Sequence, residues 1–144
     1  YLSNYINKNK SDYYRLFTEF RENDNYEDWI IYILKGIEET SRNTIELIKM
    51  IQEEMELYKD EFMTKLPKIY SDTLLDSLFF EVYTRINYIE DRCDVTRQTA
   101  ATYLNSLVDA GLLEFEKVGR ESIEKIWKGR IYKNTRLINL LSKF

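Results

Sequence analysis

Histidine is absent from the 144 residues, and cysteine occurs once, as Cys93. Imidazole catalysis is therefore excluded within this chain. A structural zinc site is excluded too, because one thiolate falls far short of four soft ligands. A single cysteine cannot close an internal disulfide, which fits a reducing cytoplasm as the expected location. Proline occurs once and glycine four times. So few breakers point to long helices and few turns. No apolar run approaches the roughly 20 residues that span a bilayer, and no signal peptide is visible. No membrane partner and no metal are expected.

What is present is apolar, aromatic and charged. Hydrophobic residues make up 44% of the chain, enough for a real core. Twelve tyrosines supply large rings with wet hydroxyls, suited to helix interfaces as well as binding surfaces. The net charge of −4 is unevenly spread. Residues 1–66 carry −5, residues 67–144 carry +1, and the part from Asp94 onward carries +3. A local positive balance permits nucleic-acid contact without requiring it.

Residues 1–9 show no clear period. Ser11 is placed to cap a helix with Tyr14, Leu16, Phe17 and Phe20 on its apolar side. Asn23-Asp24-Asn25 reads as a turn. From Tyr26 to about Lys65 one long helix is expected, with Ser41 and Thr44 interrupting its stripe and marking where it would break. Ile30, Ile33, Leu34 and Ile37 give one stripe. Ile48, Ile51, Met55, Tyr58 and Phe62 follow at alternating spacings of three and four, the coiled-coil seam pattern. A helix this long, roughly 60 Å, exceeds a small domain and needs something to lean on. A homodimer through residues 26–66 is one solution.

Pro67 marks the expected domain boundary, dividing 1–66 from 67–144. After it the pattern reads helix, helix, helix, hairpin, helix. Ser71 caps the first helix and Thr84 the second. Thr96 caps the third, which runs to about Ala110, and Gly111 stops it as a C′ glycine. Leu113 to Val118 alternates apolar and charged residues, as a strand does. Residues 129–134 supply the returning strand, and 135–144 a short closing helix. The fold class is therefore mainly α: a helical segment with one long helix, then a winged helix-turn-helix with a small β-hairpin wing.

On a helical wheel, Ala100, Leu104, Leu107 and Val108 form the packed side of the third helix. Gln98, Thr102 and Asn105 fall opposite, Arg97 and Thr99 near the first turn, and Tyr103 on the flank. No acid occurs between residues 95 and 108. Short amides, hydroxyls and an arginine are the groups that bond base edges and phosphates. The candidate DNA-reading set is thus Thr96, Arg97, Gln98, Thr99, Thr102, Tyr103 and Asn105. The wing adds Lys117, Arg120, Lys128 and Arg130 for the backbone, with Glu121 and Glu124 diluting it. The same types also occur on merely solvated helix faces, and a winged helix also serves as a protein-docking or dimerisation module. Cys93 reads as core. The pairs Glu38-Glu39, Glu53-Glu54 and Asp60-Glu61 read as solvated helix surface rather than acid–base pairs. Gly111 and Gly119 make no phosphate-cradling motif.

Two stretches, YLSNYINKNKSDYYRLF and DWIIYILKGIEETSRNTIELI, resemble the segment just downstream of the active-site motif in Fic (filamentation-induced-by-cAMP) proteins. KLPKIYSDTLLDSLFFEVYTRI and VTRQTAATYLNSLVDAGLLEFEKVGRE resemble the winged-helix tail of one subgroup of that family. The spacing of Tyr1-Leu2-Ser3, Tyr5, Tyr13-Tyr14 and Asp28-Trp29 carries the likeness. Family members transfer AMP from ATP to hydroxyls of target proteins, through a signature HPFx(D/E)GNGR. This chain has neither the signature nor any histidine, so no catalytic residue carries over. The resemblance implies a non-catalytic C-terminal part, with ATP a cofactor only of the intact parent enzyme. DNA binding for transcriptional autoregulation is the function expected of the winged helix. Presentation of targets to the parent enzyme is the alternative.

Overall fold

The computed structural model describes residues 2–23, 25–117 and 130–143. Among them run seven helices: α1 (Leu2–Lys8), α2 (Lys10–Asn23), α3 (Tyr26–Lys65), α4 (Asp72–Phe80), α5 (Ile86–Cys93), α6 (Arg97–Asp109) and α7 (Thr135–Leu141). Three strands accompany them: β1 (Tyr83–Thr84), β2 (Glu114–Lys117) and β3 (Arg130–Lys133). The described chain is thus mainly helical with a small sheet, as the sequence pattern predicts. It divides into two compact units, residues 1–49 and 50–144.

The first unit is held by aromatic rings. Residues 2–8 form a helix where the sequence shows no period, because the constraint is tertiary. A Cβ on Gly36 would stand 2.7 Å from Tyr5 Cδ1 and 2.9 Å from Leu2 Cδ1. Glycine is what lets α1 approach α3 so closely. Tyr13 and Tyr32 both meet Trp29, at centroid distances of 5.3 and 6.1 Å. Ser11 does not cap α2. It lies one residue inside a helix that starts at Lys10.

The long helix is unbroken from Tyr26 to Lys65. Thr44 does not interrupt it, because its hydroxyl turns back to donate to the Thr40 carbonyl at 2.8 Å. Along its first half one side stays uncovered: Ile30, Leu34, Ile37, Ile45 and Ile48 are each about half exposed.

The second unit is built on one core. Tyr58 and Phe62 of α3, Leu74 and Leu78 of α4, Ile89 of α5, Leu104 and Leu107 of α6, Tyr132 of β3 and Leu137 of α7 all belong to it. Ile51 and Met55 are partly buried against the same cluster. Four members of the seam read as a coiled-coil edge therefore pack on their own chain. Each fully buried Leu or Phe contributes about 1.5–3 kcal/mol relative to exposure. The end of α3 is thus integral to this unit's stability.

The sheet holds the order β1-β3-β2 and is antiparallel throughout. Phe115 pairs with Tyr132, and Thr84 also pairs with Tyr132 from the other side. Thr84 is therefore a buried strand residue, not the cap of the second helix. The position before α5 is Arg85, which makes no side-chain cap bond. A two-residue strand has no alternation to reveal it in sequence. Asn134 locks the return of the hairpin. It is 2% exposed, its Nδ2 donates to the Leu78 carbonyl at 3.1 Å, and its Oδ1 accepts from the Leu137 amide at 3.1 Å.

Candidate nucleic-acid interface

α5 and α6 are joined by Asp94, Val95 and Thr96. Asp94 adopts the left-handed conformation (φ 51°, ψ 49°), which ends α5 and turns the chain. Asp tolerates that region better than most residues. Thr96 then caps α6, its Oγ1 accepting from the Thr99 amide at 3.2 Å. The two threonine hydroxyls are 2.9 Å apart. At the far end Gly111 takes φ 72°, and the Leu112 amide reaches back to the Leu107 carbonyl at 2.9 Å. This is the glycine stop expected of that position.

Burial divides α6 as its wheel predicts. Ala100, Leu104 and Leu107 are fully buried, and Val108 packs partly against them. Arg97, Gln98, Thr102 and Asn105 are exposed along the other side, with Thr96 just before them. Thr99 is half-buried in the first turn. Tyr103 is half-buried too and leans on the core, so only part of its ring is available. Thr102 points its hydroxyl at the Gln98 carbonyl, 2.9 Å away.

Asn105 is engaged by the hairpin. Its Oδ1 accepts from Arg130 Nη1 at 3.2 Å and from the Tyr132 hydroxyl at 3.1 Å. Arg130 also lies over the Phe115 ring, 5.8 Å from its centroid. Arg130 is thus placed beside α6. Arg120 and Lys128 lie outside the described residues, as does the side chain of Lys117. Sequence reasoning overlooked Tyr132 and Phe115. Their pairing depends on cross-strand register, for which the sequence carries no signal.

Two further groups sit around this site. Arg92 of α5 stacks over Phe80 and Tyr88, at 4.5 and 5.4 Å from the ring centroids. Its Nη1 donates to the Tyr88 hydroxyl at 3.0 Å. Cys93 is half-buried at the end of α5, and burial pushes its thiol above the ordinary range. A raised thiol is the unreactive kind.

Carboxylates read as solvated surface have structural work. Arg136 of α7 pairs with Glu54 at 3.2 Å and with Glu61, and lies over the Tyr58 ring at 5.3 Å. Lys65 binds Glu61 at 2.6 Å and also donates to the Ala110 carbonyl at the end of α6. Hydrogen bonds from Lys65 and Arg136 hold the Glu61 carboxyl below the usual carboxylate range. Among the described residues no group of three or more His, Cys, Asp or Glu side chains is arranged to hold a metal ion. No described helix is long and apolar enough to cross a membrane.

Helix α5, a left-handed turn and helix α6, followed by a hairpin whose return strand pairs with a short strand after α4, constitute a winged helix-turn-helix. The family model for the C-terminal domain of SoFic-like protein adenylyltransferase matches residues 54–126, half of the chain. The chain belongs to this family. The match spans the end of α3, all of α4 to α6 and β2, the region whose sequence resembles the Fic winged-helix tail.

Proposed function

We propose that this winged helix binds DNA, with α6 in the major groove and the wing on the backbone, and that it regulates transcription, the parent gene's own included. The observation that carries the reading is the exposed side of α6. Arg97, Gln98 and Thr102 stand clear of the core with no acid among them from residue 95 to 108. Arg97 and Gln98 lie in the first turn, which is the end of a recognition helix that reaches base edges. The free amides of a helix start add a phosphate site. In this reading Gln98 bonds a base edge, Arg97, Thr99 and Thr102 bond bases or phosphates, and Arg130 bonds phosphate. Lys117, Arg120 and Lys128 are assigned to the backbone from sequence. The chain carries neither a histidine nor the HPFx(D/E)GNGR signature of AMP-transferring family members.

Fluorescence anisotropy tests this with the full chain, because Tyr58 and Phe62 lie N-terminal to Pro67 yet sit in the core. The probe is a duplex from upstream of the protein's own gene, run against a scrambled duplex over several salt concentrations. Preferential binding that weakens steeply with salt is expected. Equal, weak binding to both duplexes, unchanged by Arg97→Ala, contradicts it.

A second reading is a protein-interaction module, and the uncovered stripe Ile30, Leu34, Ile37, Ile45 and Ile48 on α3 favours it. Contiguous exposed apolar surface marks association sites. Self-association through the exposed part of residues 26–66, from Ile30 to Ile48, is then the expected form. A monomeric sedimentation profile at tens of micromolar contradicts it.

A further inference from the structure

We infer that Asn105 is a positioning residue that ties the recognition helix to the wing, and that it does not read a base. The inference rests on the DNA-binding reading above and assigns Asn105 a different role from its neighbours Gln98 and Thr102. An asparagine that recognises adenine uses Oδ1 and Nδ2 together, Oδ1 accepting from the base. A carbonyl oxygen offers two lone pairs. Both acceptor positions of Asn105 Oδ1 are taken, by Arg130 Nη1 at 3.2 Å and by the Tyr132 hydroxyl at 3.1 Å. An arginine nitrogen only donates, so the oxygen is the atom that faces it.

The two donors differ in what they anchor. Tyr132 is fully buried, so its hydroxyl is a fixed point of the core. Arg130 is exposed, with its guanidinium carbon 5.8 Å from the Phe115 ring centroid. Asn105 therefore links a rigid group to a solvent-facing cation. The bond and the ring together restrict a long side chain that would otherwise sample many rotamers. An arginine held in this way meets a phosphate with less ordering entropy left to lose. Helix α6 and strand β3 then present groove and backbone contacts as one body.

The test exploits the neutrality of Asn105. Removing it deletes no charge, so it alters salt dependence only by displacing Arg130. Anisotropy titrations of the full chain with its upstream duplex compare wild type, Asn105→Ala, Arg130→Ala and the double variant. Arg130→Ala is expected to flatten the log–log salt slope by about 1, and Asn105→Ala to flatten it by less, because the freed guanidinium still reaches phosphate part of the time. The double variant is expected to match Arg130→Ala alone. Asn105→Ala leaves the Tyr132 hydroxyl without its acceptor. If that variant does not fold, Asn105→Ala with Tyr132→Phe takes its place, removing both partners at once.

An unchanged salt slope in the Asn105 variant overturns the inference, and a lost preference at one base pair shows it to be a reader instead. Wild-type protein that binds no DNA at the lowest salt defeats the DNA-binding reading itself, and the inference with it. That failure appears before any variant is made, which separates the two.

Discussion

Gln98 and Arg130 both face solvent near the candidate interface, yet their substitution should have different consequences. A glutamine at the start of a recognition helix reads one base pair. Gln98→Ala is expected to cost about 1–3 kcal/mol at that pair and to relax preference there only. Arg130→Ala should weaken every sequence alike. Competition titrations with single-base-pair variants of the upstream duplex separate the two patterns, and identical effects on random DNA would contradict the division. Away from the interface, Tyr58 shows how burial governs pH response. Its hydroxyl donates to the Leu112 carbonyl at 3.0 Å, and burial pushes its pKa above the ordinary 10.0. The folded state therefore holds this proton more tightly than the unfolded state. That contribution is complete below pH 10 and is lost as pH rises through the folded value. Glu61 acts in the opposite sense. Its carboxyl is held below the ordinary 4.5 by Lys65 and Arg136, so its contribution is present above pH 4.5 and is lost as pH falls below it. Thermal unfolding across pH should show both edges. Tyr58→Phe should flatten the alkaline edge, and Glu61→Gln the acid one.

At the scale of elements, α6 is defined by its two ends. Thr96→Ala removes the oxygen that accepts the Thr99 amide and is expected to cost about 1 kcal/mol. Gly111→Ala forces a Cβ into a φ of 72°, where nothing crowds it but the backbone itself is strained, at about 1 kcal/mol. Chemical denaturation reads both, and a neutral Gly111→Ala would mean the stop does not depend on that conformation. Both ends of α6 were legible in sequence, because caps and C′ glycines are local chemistry. So were α3, the capping of α4 by Ser71, and the two strands of the wing, because period and turn residues are local too. What escaped was tertiary. Strand β1 is two residues long and exists only because β3 lies beside it. Helix α1 is defined by the contact of Tyr5 and Leu2 with Gly36. Tyr58 and Phe62 fit a coiled-coil seam by spacing, but spacing does not say which surface a stripe will meet. In the candidate interface the exposed set on α6 was legible from the wheel, whereas the commitment of Asn105 to Arg130 and Tyr132 depends on strand register.

For the whole molecule, two surfaces compete as the seat of function. One is the polar side of α6 with Arg130. The other is the stripe from Ile30 to Ile48, whose side chains stay about half exposed. If the stripe joins two copies, sedimentation at tens of micromolar should exceed the monomer mass, and Leu34→Glu with Ile45→Glu should restore it. Both side chains are already more than half exposed, so the thermal midpoint should hardly move. A lowered midpoint with unchanged mass would mean instead that the stripe supports the fold. The measurement that bears most directly on the winged helix is a map of backbone amide resonances with and without the upstream duplex. DNA binding predicts shifts concentrated at Thr96 to Asn105 and at Arg130, diminishing as salt is raised. Shifts confined to residues 30–48, or none along α6 at low salt, would contradict it.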